Sequence, residues 1–365
     1  MENFIAIFAD LEDPRADNAW HNLSAVLFIA LAAVLCGAES CADMAEFGAA
    51  KKRVLRRVLR LEHGIPSHDT FSRVFRLLDP EQFEATFRRF MAAFAKSNGI
   101  KLTGVVAVDG KAVRGAFERG ARTTPLHVVN VWAAEQRLAL AQRKAPGRNE
   151  VAGALEVVKL LSLRGCIVTA DALHCHGGFA KAVLDRGGAY VLALKENQSA
   201  IFADVVRRID TAVKRDEGEE APATRHGRLE HRRAVVVADT RLAKAHAFPG
   251  LRAVARVDAV RRLNGKEETL VRYFLLSCRL SATRLLDVVR THWSIENQLH
   301  WVLDVVFDED GARNRKDHGP ENLAVLRKLA LNILRSHPHK ASLRRKVKRA
   351  GWDDAFLLSL FAQMR

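Results

Sequence analysis

Hydrophobic and polar positions change their period along this chain. Up to about residue 100 the apolar residues recur at steps of three and four. Gly and Pro are confined to punctuation at Asp13-Pro14, Gly37, 64–66 and Asp79-Pro80, which predicts a mostly helical region. Residues 23–38 are apolar apart from Ser24; this is shorter than the ~20 residues of a membrane span, so it predicts a buried helix ending near Gly37. Segment 51–60 (KKRVLRRVLR) is basic and amphipathic. A turn at 62–66 separates it from 67–78 (SHDTFSRVFRLL), where Ser67 is the expected N-cap and Phe71, Val74, Phe75 and Leu78 the inward face. Two helices around a Gly-containing turn are compatible with a helix-turn-helix, with Arg73 and Arg76 on the second helix as candidate DNA contacts. A helical bundle with solvated cations fits the same pattern.

Past residue 100 the period becomes that of strands. Residues 104–108 (GVVAV) predict a buried strand entering a tight turn at Asp109-Gly110-Lys111; 127–133 and 138–142 predict a hairpin turning at 135–137. A helix over 150–163, a strand over 166–170 delivering Asp171, a helix near 179–185 and a strand over 189–194 followed by Lys195 complete an α/β unit with a mixed sheet. A charged loop (215–220, RDEGEE) then precedes alternating segments at 233–238, 252–260 and 268–276, read as a β-rich insertion. A long helix follows from near Ser281. Leu285, Val288, Ile295, Leu299 and Val302 form its core-facing stripe, and Glu296 lies on the shoulder of that stripe with His292 and His300 one turn away on either side. An amphipathic helix at 321–334 and a basic run at 340–349 end the chain. The expected organisation is a helical DNA-binding domain over 1–100, a catalytic domain over 101–335 with the insertion at about 211–279, and a basic helical C-terminal tail over 336–365.

Charge narrows the partner. Lys and Arg number 58 against 42 Asp and Glu, a net +16, which points to a polyanion and first to nucleic acid. Five scattered cysteines form no disulfide framework and fit a reducing compartment. The opening MENFIAIFADLEDPR has no basic region ahead of an apolar run, so no secretory signal is expected. The expected location is cytoplasmic, on the nucleoid when DNA is bound, with no membrane partner. The sequence has no Ser/His/Asp triad pattern, Gly-rich phosphate loop or dinucleotide fingerprint, and no small-molecule substrate is expected. His174, Cys175 and His176 lack a second Cys/His pair with structural-zinc spacing, so zinc is not assigned.

Three carboxylates carry the candidate chemistry: Asp109 after one strand, Asp171 at the end of another and Glu296 on a late helix. If the first strand is central and the fourth lies beside it, both aspartates emerge at one sheet edge, where a covering helix can add Glu296. Such a set suits Mg²⁺, with Mn²⁺ able to substitute: oxygen ligands, retained waters and substrate phosphates. Two such ions can serve in-line displacement at phosphorus. Spacing alone does not single this triplet out among 42 acids. Lys111 and Arg114 after the first aspartate, and Lys195 after the last strand of the unit, are either phosphate contacts or ordinary surface cations. Trp293 and Trp301 flank the glutamate; stacking on a flipped or unpaired base is one role open to them, and packing in the core is the expected one.

The ordered stretches VDGKAVRGA (108–116), TADALHCH (169–176), LKENQ (194–198), HGRLEHR (226–232) and HWSIENQLHWVLDVVFDED (292–310) resemble the motifs of the ISAs-type, or H-repeat-associated, insertion-sequence transposases, a branch of the DDE transposases. DPR, ALAAVLCGAES and GIPSHDTFSRVF resemble that family's leading domain, so the likeness spans almost the whole chain. The resemblance implies an RNase H-like mixed sheet with helices on both faces and the acidic triad at Asp109, Asp171 and Glu296. It also implies metal-dependent cleavage and strand transfer on DNA, with terminal inverted repeats and target DNA as partners and a homodimer or higher assembly on DNA. One departure stands out: many related enzymes place Tyr, Arg and Lys seven before, four before and seven after the glutamate, and here those positions are Val289, His292 and Leu303. Arg290 and His300 are the candidates to grip phosphate instead. Two other readings stay open: a catalytically silent transposase-derived DNA-binding protein, and a general metal-dependent nuclease.

Overall fold

Apolar residues on both faces of 104–113 make β1 (Gly104–Val113) the buried middle of a sheet. In the computed structural model, which describes residues 2–15, 19–116, 125–225, 228–263 and 266–364, β1 pairs antiparallel with β2 (Leu126–Ala133), and β2 with β3 (Leu138–Lys144). On its other side β1 runs parallel to β4 (Cys166–Ala170), and β4 parallel to β5 (Ala189–Leu194). This is the mixed RNase H-like sheet that the resemblance implied.

The insertion does not form a sheet of its own. β6 (Asp216–Arg225), β7 (Arg228–Ala238), β8 (Ala253–Leu263) and β9 (Lys266–Leu276) form an antiparallel meander, and β9 pairs with β5 from Val191↔Leu276 to Leu194↔Tyr273. The result is one nine-stranded sheet in the order β3-β2-β1-β4-β5-β9-β8-β7-β6. β9 covers the edge that β5 would otherwise leave unpaired. The charged segment expected to be a loop lies mainly within β6. As the last strand of the sheet it tolerates charge, and its Glu217 pairs with Arg233 of β7. Pro222 sits in the irregularity between Glu220 and Ala223, where a missing N–H costs no ladder bond. Of the motif at 226–232, residues 226 and 227 lie outside the described residues and the rest belongs to β7.

The leading region folds into α1 (Glu2–Ala9), α2 (Leu23–Leu35), α3 (Cys41–Ala50), the single turn α4 (Lys52–Leu55), α5 (His68–Leu77) and α6 (Pro80–Ser97). Local chemistry sets their starts: Ser67 accepts from the Thr70 N–H at 3.3 Å, Ser40 and Asp43 form a capping box, and Asp79 caps α6 ahead of Pro80. The basic segment 51–60 is helical only in α4, where Val54 and Leu55 alone are buried. α5 packs against α3 and α13 (Gly319–Ser336) and leaves Arg73 and Arg76 exposed.

α7 (Glu150–Lys159), α8 (Gly177–Asp185) and α9 (Ser199–Asp210) cover one sheet face over Val106, Val108, Val168 and Leu192. After the short α10 (Arg241–Ala245) come α11 (Ala282–His292), α12 (Trp301–Phe307), α13, α14 (Leu343–Trp352) and α15 (Asp354–Ala362). Most of this last group joins α1, α2 and α6 in a single core against the other face, which includes Val105, Ala107 and Trp132. α2 is buried on all sides, and its Phe28 meets Phe361 of α15 with ring centroids 4.8 Å apart. Among the described residues no helix is long and apolar enough to cross a membrane.

Candidate active site

β1 does not stop at Val108. Its pairing with β2 continues through Asp109↔Asn130 and Lys111↔Val128 to Val113↔Leu126, so strand backbone, and not a turn, holds Asp109. The period of two places Asp109 and Lys111 on the face of Val105 and Ala107, beneath the C-terminal helices. β4 ends beside it: Val108 and Ala170 are partners across the parallel pair, and Asp109 and Asp171 are the next residues on each strand. Asp171 caps a short 3₁₀ turn by accepting from the Leu173 N–H at 3.1 Å, and its carboxylate is half exposed.

The helix carrying Glu296 is interrupted. α11 ends at His292, residues 295–300 form a π-helical turn, and α12 continues beyond it. All five stripe residues are buried as the spacing predicts. Within the wider turn Leu299 and His300 both face inward. Trp132 Nε1 donates to Ser294 Oγ at 3.1 Å, and the Arg335 guanidinium lies 4.8 Å over the Trp132 ring while donating to the Gln298 carbonyl. Those contacts hold the break open.

Glu296 is thereby brought to Asp109. His300 Nδ1 lies 3.4 Å from Glu296 Oε2 and 3.8 Å from Asp109 Oδ2. One donor atom from each of these three residues falls within 4.8 Å of the others, and Asp171 is not part of that group. Burial, then the hydrogen bond with Glu296, then repulsion from Glu296 and Asp171 hold the Asp109 carboxyl well above the usual range. Glu296 moves the opposite way, lowered chiefly by the His300 imidazole beside it. Repulsion between two such close carboxylates is relieved by a cation, and the donor set of two carboxylates and an imidazole fits a divalent ion.

Two cavities flank this centre. One, of about 850 Å³, is lined by Asp171, Lys195, Asn197, His292 and Trp293 among others. His292 Nδ1 is 2.9 Å from Thr169 Oγ1, and burial pushes this imidazole down to about 4. The second, of about 750 Å³, gathers Arg137, Arg232, Arg261, Arg272 and Arg290 around Trp293. Arg290 pairs with Glu220, and Arg272 sits 5.1 Å over the Trp293 ring. Burial first, then repulsion from Arg261 and Arg232, lowers the Arg272 guanidinium. Trp293 and Trp301 are 43% and 59% exposed, so neither packs in the core as expected.

Lys111 and His300 are not surface cations. Lys111 is buried, its Nζ 2.7 Å from Asp304, 3.1 Å from Glu309 and 3.1 Å from Asp310; this ties β1 to α12 and to the loop after it and leaves no free ammonium for a phosphate. Glu309 is itself fully buried, with Lys328 4.0 Å away. His300 lies too deep to reach a strand in solvent. Arg114 is largely exposed, 3.7 Å from Asp310. Arg73 and Arg76 lie on α5, outside the acidic centre; Arg76 bonds Asp317 at 2.7 Å and lines a cavity with Arg313, Arg315 and Lys316. Asn130 and Arg335 escape sequence reasoning. The first is signalled only by a polar residue in an apolar strand, and the second by nothing local.

A mixed sheet with one acid inside its central strand, another just past the end of the parallel neighbour, and a glutamate brought beside the first by a later helix fits the RNase H-like class. Comparison with known proteins narrows this. Residues 101–333 match the family described as "Transposase DDE domain", and residues 5–91 match the one described as "DDE_Tnp_1-associated". The chain belongs to the DDE transposase family. It is 30% identical over 353 residues to the "H repeat-associated putative transposase YhhI" of Escherichia coli (strain K12), covering 94% of this chain and 93% of that one. It is 31% identical to "Putative protein YbfL" of the same strain (96% and 95% covered). It is 41% identical to the "Uncharacterized protein in dhlA 3'region" of Xanthobacter autotrophicus (74% and 92% covered).

Proposed function

We propose that this transposase cleaves DNA at the ends of its insertion sequence and joins the freed ends to target DNA, with Asp109, Asp171 and Glu296 as the catalytic acids. The convergence of Asp109 and Glu296 from distant parts of the chain carries this reading. The acids would hold two Mg²⁺ or Mn²⁺ ions, which supply Lewis acidity at the attacking and leaving oxygens of an in-line displacement. Water first displaces the 3′ oxygen at the element's end, and the resulting 3′-hydroxyl then attacks a target phosphodiester. Asp171, the most open of the three, faces the larger cavity, where a strand can approach beside Lys195.

The arginine-lined cavity supports a DNA path beside the acids. Arg272 is crowded by Arg261 and Arg232, a cost that a phosphate backbone relieves, and the half-exposed Trp293 offers a stacking face for an unpaired base. Arg73, Arg76 and Arg114 extend the positive surface away from the centre, and the leading helices recognise the terminal inverted repeats. Two ends must be held together, so a dimer or larger assembly forms on DNA.

The test is a Mn²⁺-dependent nicking and joining assay on the end of the parent element. Wild-type chain is expected to nick and join, and Asp171→Ala to do neither. Undiminished cleavage by Asp171→Ala sinks the assignment. Cleavage without joining marks a general nuclease, and salt-dependent binding without any cleavage marks a silent DNA-binding protein.

A further inference from the structure

His300 is the side chain that neither the acid triad nor the DNA path uses. It is buried in the π turn with one ring nitrogen, Nδ1, directed between Glu296 Oε2 at 3.4 Å and Asp109 Oδ2 at 3.8 Å. The second distance is too long for a hydrogen bond, and the first is at its outer limit. Both suit atoms that share a cation. In an octahedron with bonds of ~2.1 Å, neighbouring ligands are about 3 Å apart and opposite ones about 4.2 Å apart. The three donor atoms here lie within 4.8 Å of one another, and contractions of about 0.4 to 0.8 Å would bring His300 Nδ1 to that spacing from the two acids.

The other ring nitrogen has its own partner. Nε2 lies 3.2 Å from the amide of Asn130, which is buried and sits directly opposite Asp109 in the β1–β2 register. With Asn130 Nδ2 towards the ring, Asn130 Oδ1 is left buried without a hydrogen-bond partner. Turning the amide over replaces the long 3.4 Å donation to the Val128 carbonyl by two oxygens at that separation, and in exchange lets Nε2–H donate to Oδ1. Nδ1 is then bare and aimed at the acids. A histidine whose second nitrogen is fixed by a neighbouring amide is the usual arrangement of a metal-bound imidazole.

We propose that His300 Nδ1 is a nitrogen ligand of the divalent ion held between Asp109 and Glu296, and that Asn130 is the positioning residue that fixes its tautomer. The inference rests on the two-ion reading above and adds a property to it. Mg²⁺ favours an all-oxygen shell, whereas imidazole suits Mn²⁺ and the later first-row ions better. This chain therefore binds Mn²⁺ in preference to Mg²⁺ by a wider margin than an all-carboxylate site would.

The experiment is Mn²⁺ titration of the purified full chain, with Mg²⁺ competition, followed by electron spin-echo envelope modulation of the bound Mn²⁺. Wild-type chain is expected to show ¹⁴N coupling from one imidazole. In His300→Gln that coupling disappears, Mn²⁺ binding weakens about tenfold or more, and the preference over Mg²⁺ narrows. Asn130→Leu is expected to weaken Mn²⁺ binding about tenfold while keeping the nitrogen coupling. If a variant fails to fold, a wild-type spectrum without nitrogen coupling still overturns the assignment. Bound Mn²⁺ without nitrogen coupling, or coupling that survives in His300→Gln, overturns the His300 assignment and leaves the acid site standing. A wild-type chain that binds no Mn²⁺, or binds it equally well as Asp109→Asn, overturns the acid site and the assignment with it.

Discussion

Asp109 is a residue the fold holds at a cost. Its carboxyl is raised by burial and by Glu296, so at neutral pH the ionised form is worse off folded than unfolded. Asp109→Asn removes that penalty. Without metal, the variant is expected to melt about 1–3 °C above wild type, while losing DNA cleavage and the thermal stabilisation that Mn²⁺ gives. Calorimetry with and without MnCl₂ checks both halves. His292 has the complementary behaviour. Its folded pKa is lowered to about 4 from 6.5, so as pH falls through that interval the unfolded chain takes up a proton that the folded chain refuses. The expected loss of stability from this one group is about 3 kcal/mol between the two values, none of it above them. Urea unfolding of the metal-free chain at pH 7 and pH 5 should show a smaller difference in His292→Gln than in wild type. Lys111 shows where residue-level reading stopped. Its period-two relation to Asp109 is visible in the sequence, but Asp109-Gly110 predicts a turn there, whereas the strand runs on to Val113. Burial of a cation among Asp304, Glu309 and Asp310 depends on a loop almost 200 positions later, which no local pattern reports.

Among elements, the interrupted helix decides the geometry. Steps of three and four persist from Leu285 to Val302, so the sequence read as one continuous helix, and every stripe residue is indeed buried. The π turn is invisible to that pattern because it widens a single turn without breaking the stripe. What holds it comes from elsewhere in the chain, Trp132 on β2 and Arg335 on α13. Arg335→Met leaves the Gln298 carbonyl without its charged donor. The expected cost is about 2 kcal/mol of stability, with at least a tenfold drop in the cleavage rate and little change in DNA affinity; equilibrium unfolding, single-turnover cleavage and a binding titration separate the three. β6 illustrates the opposite error. Acids, Gly and Pro made it look like a loop because its charges suit only the outermost strand, and edge position is a property of the finished sheet.

For the whole molecule, the alternation of strands and helices made the five-stranded unit legible, while the joining of β9 to β5 was not. Nothing in either sequence names its partner. The core beneath the acids is built from the leading helices, the sheet and the last helices together. Residues 101–335 expressed alone are therefore expected to bind a hydrophobic dye and to lack the single cooperative transition of the full chain, as judged by calorimetry. The charge of +16 acts at the same scale. Replacing Arg261 and Arg272 by Ala should weaken DNA binding across sequences and lower the slope of log affinity against log salt by about 2, read from titrations at several salt concentrations.

The meeting of Phe28 with Phe361 ties the order of synthesis to folding. While α15 is still within the ribosome, α2 holds a bare aromatic face that chaperones and proteases can reach, so the leading helices complete their burial only after residues more than 300 positions later have emerged.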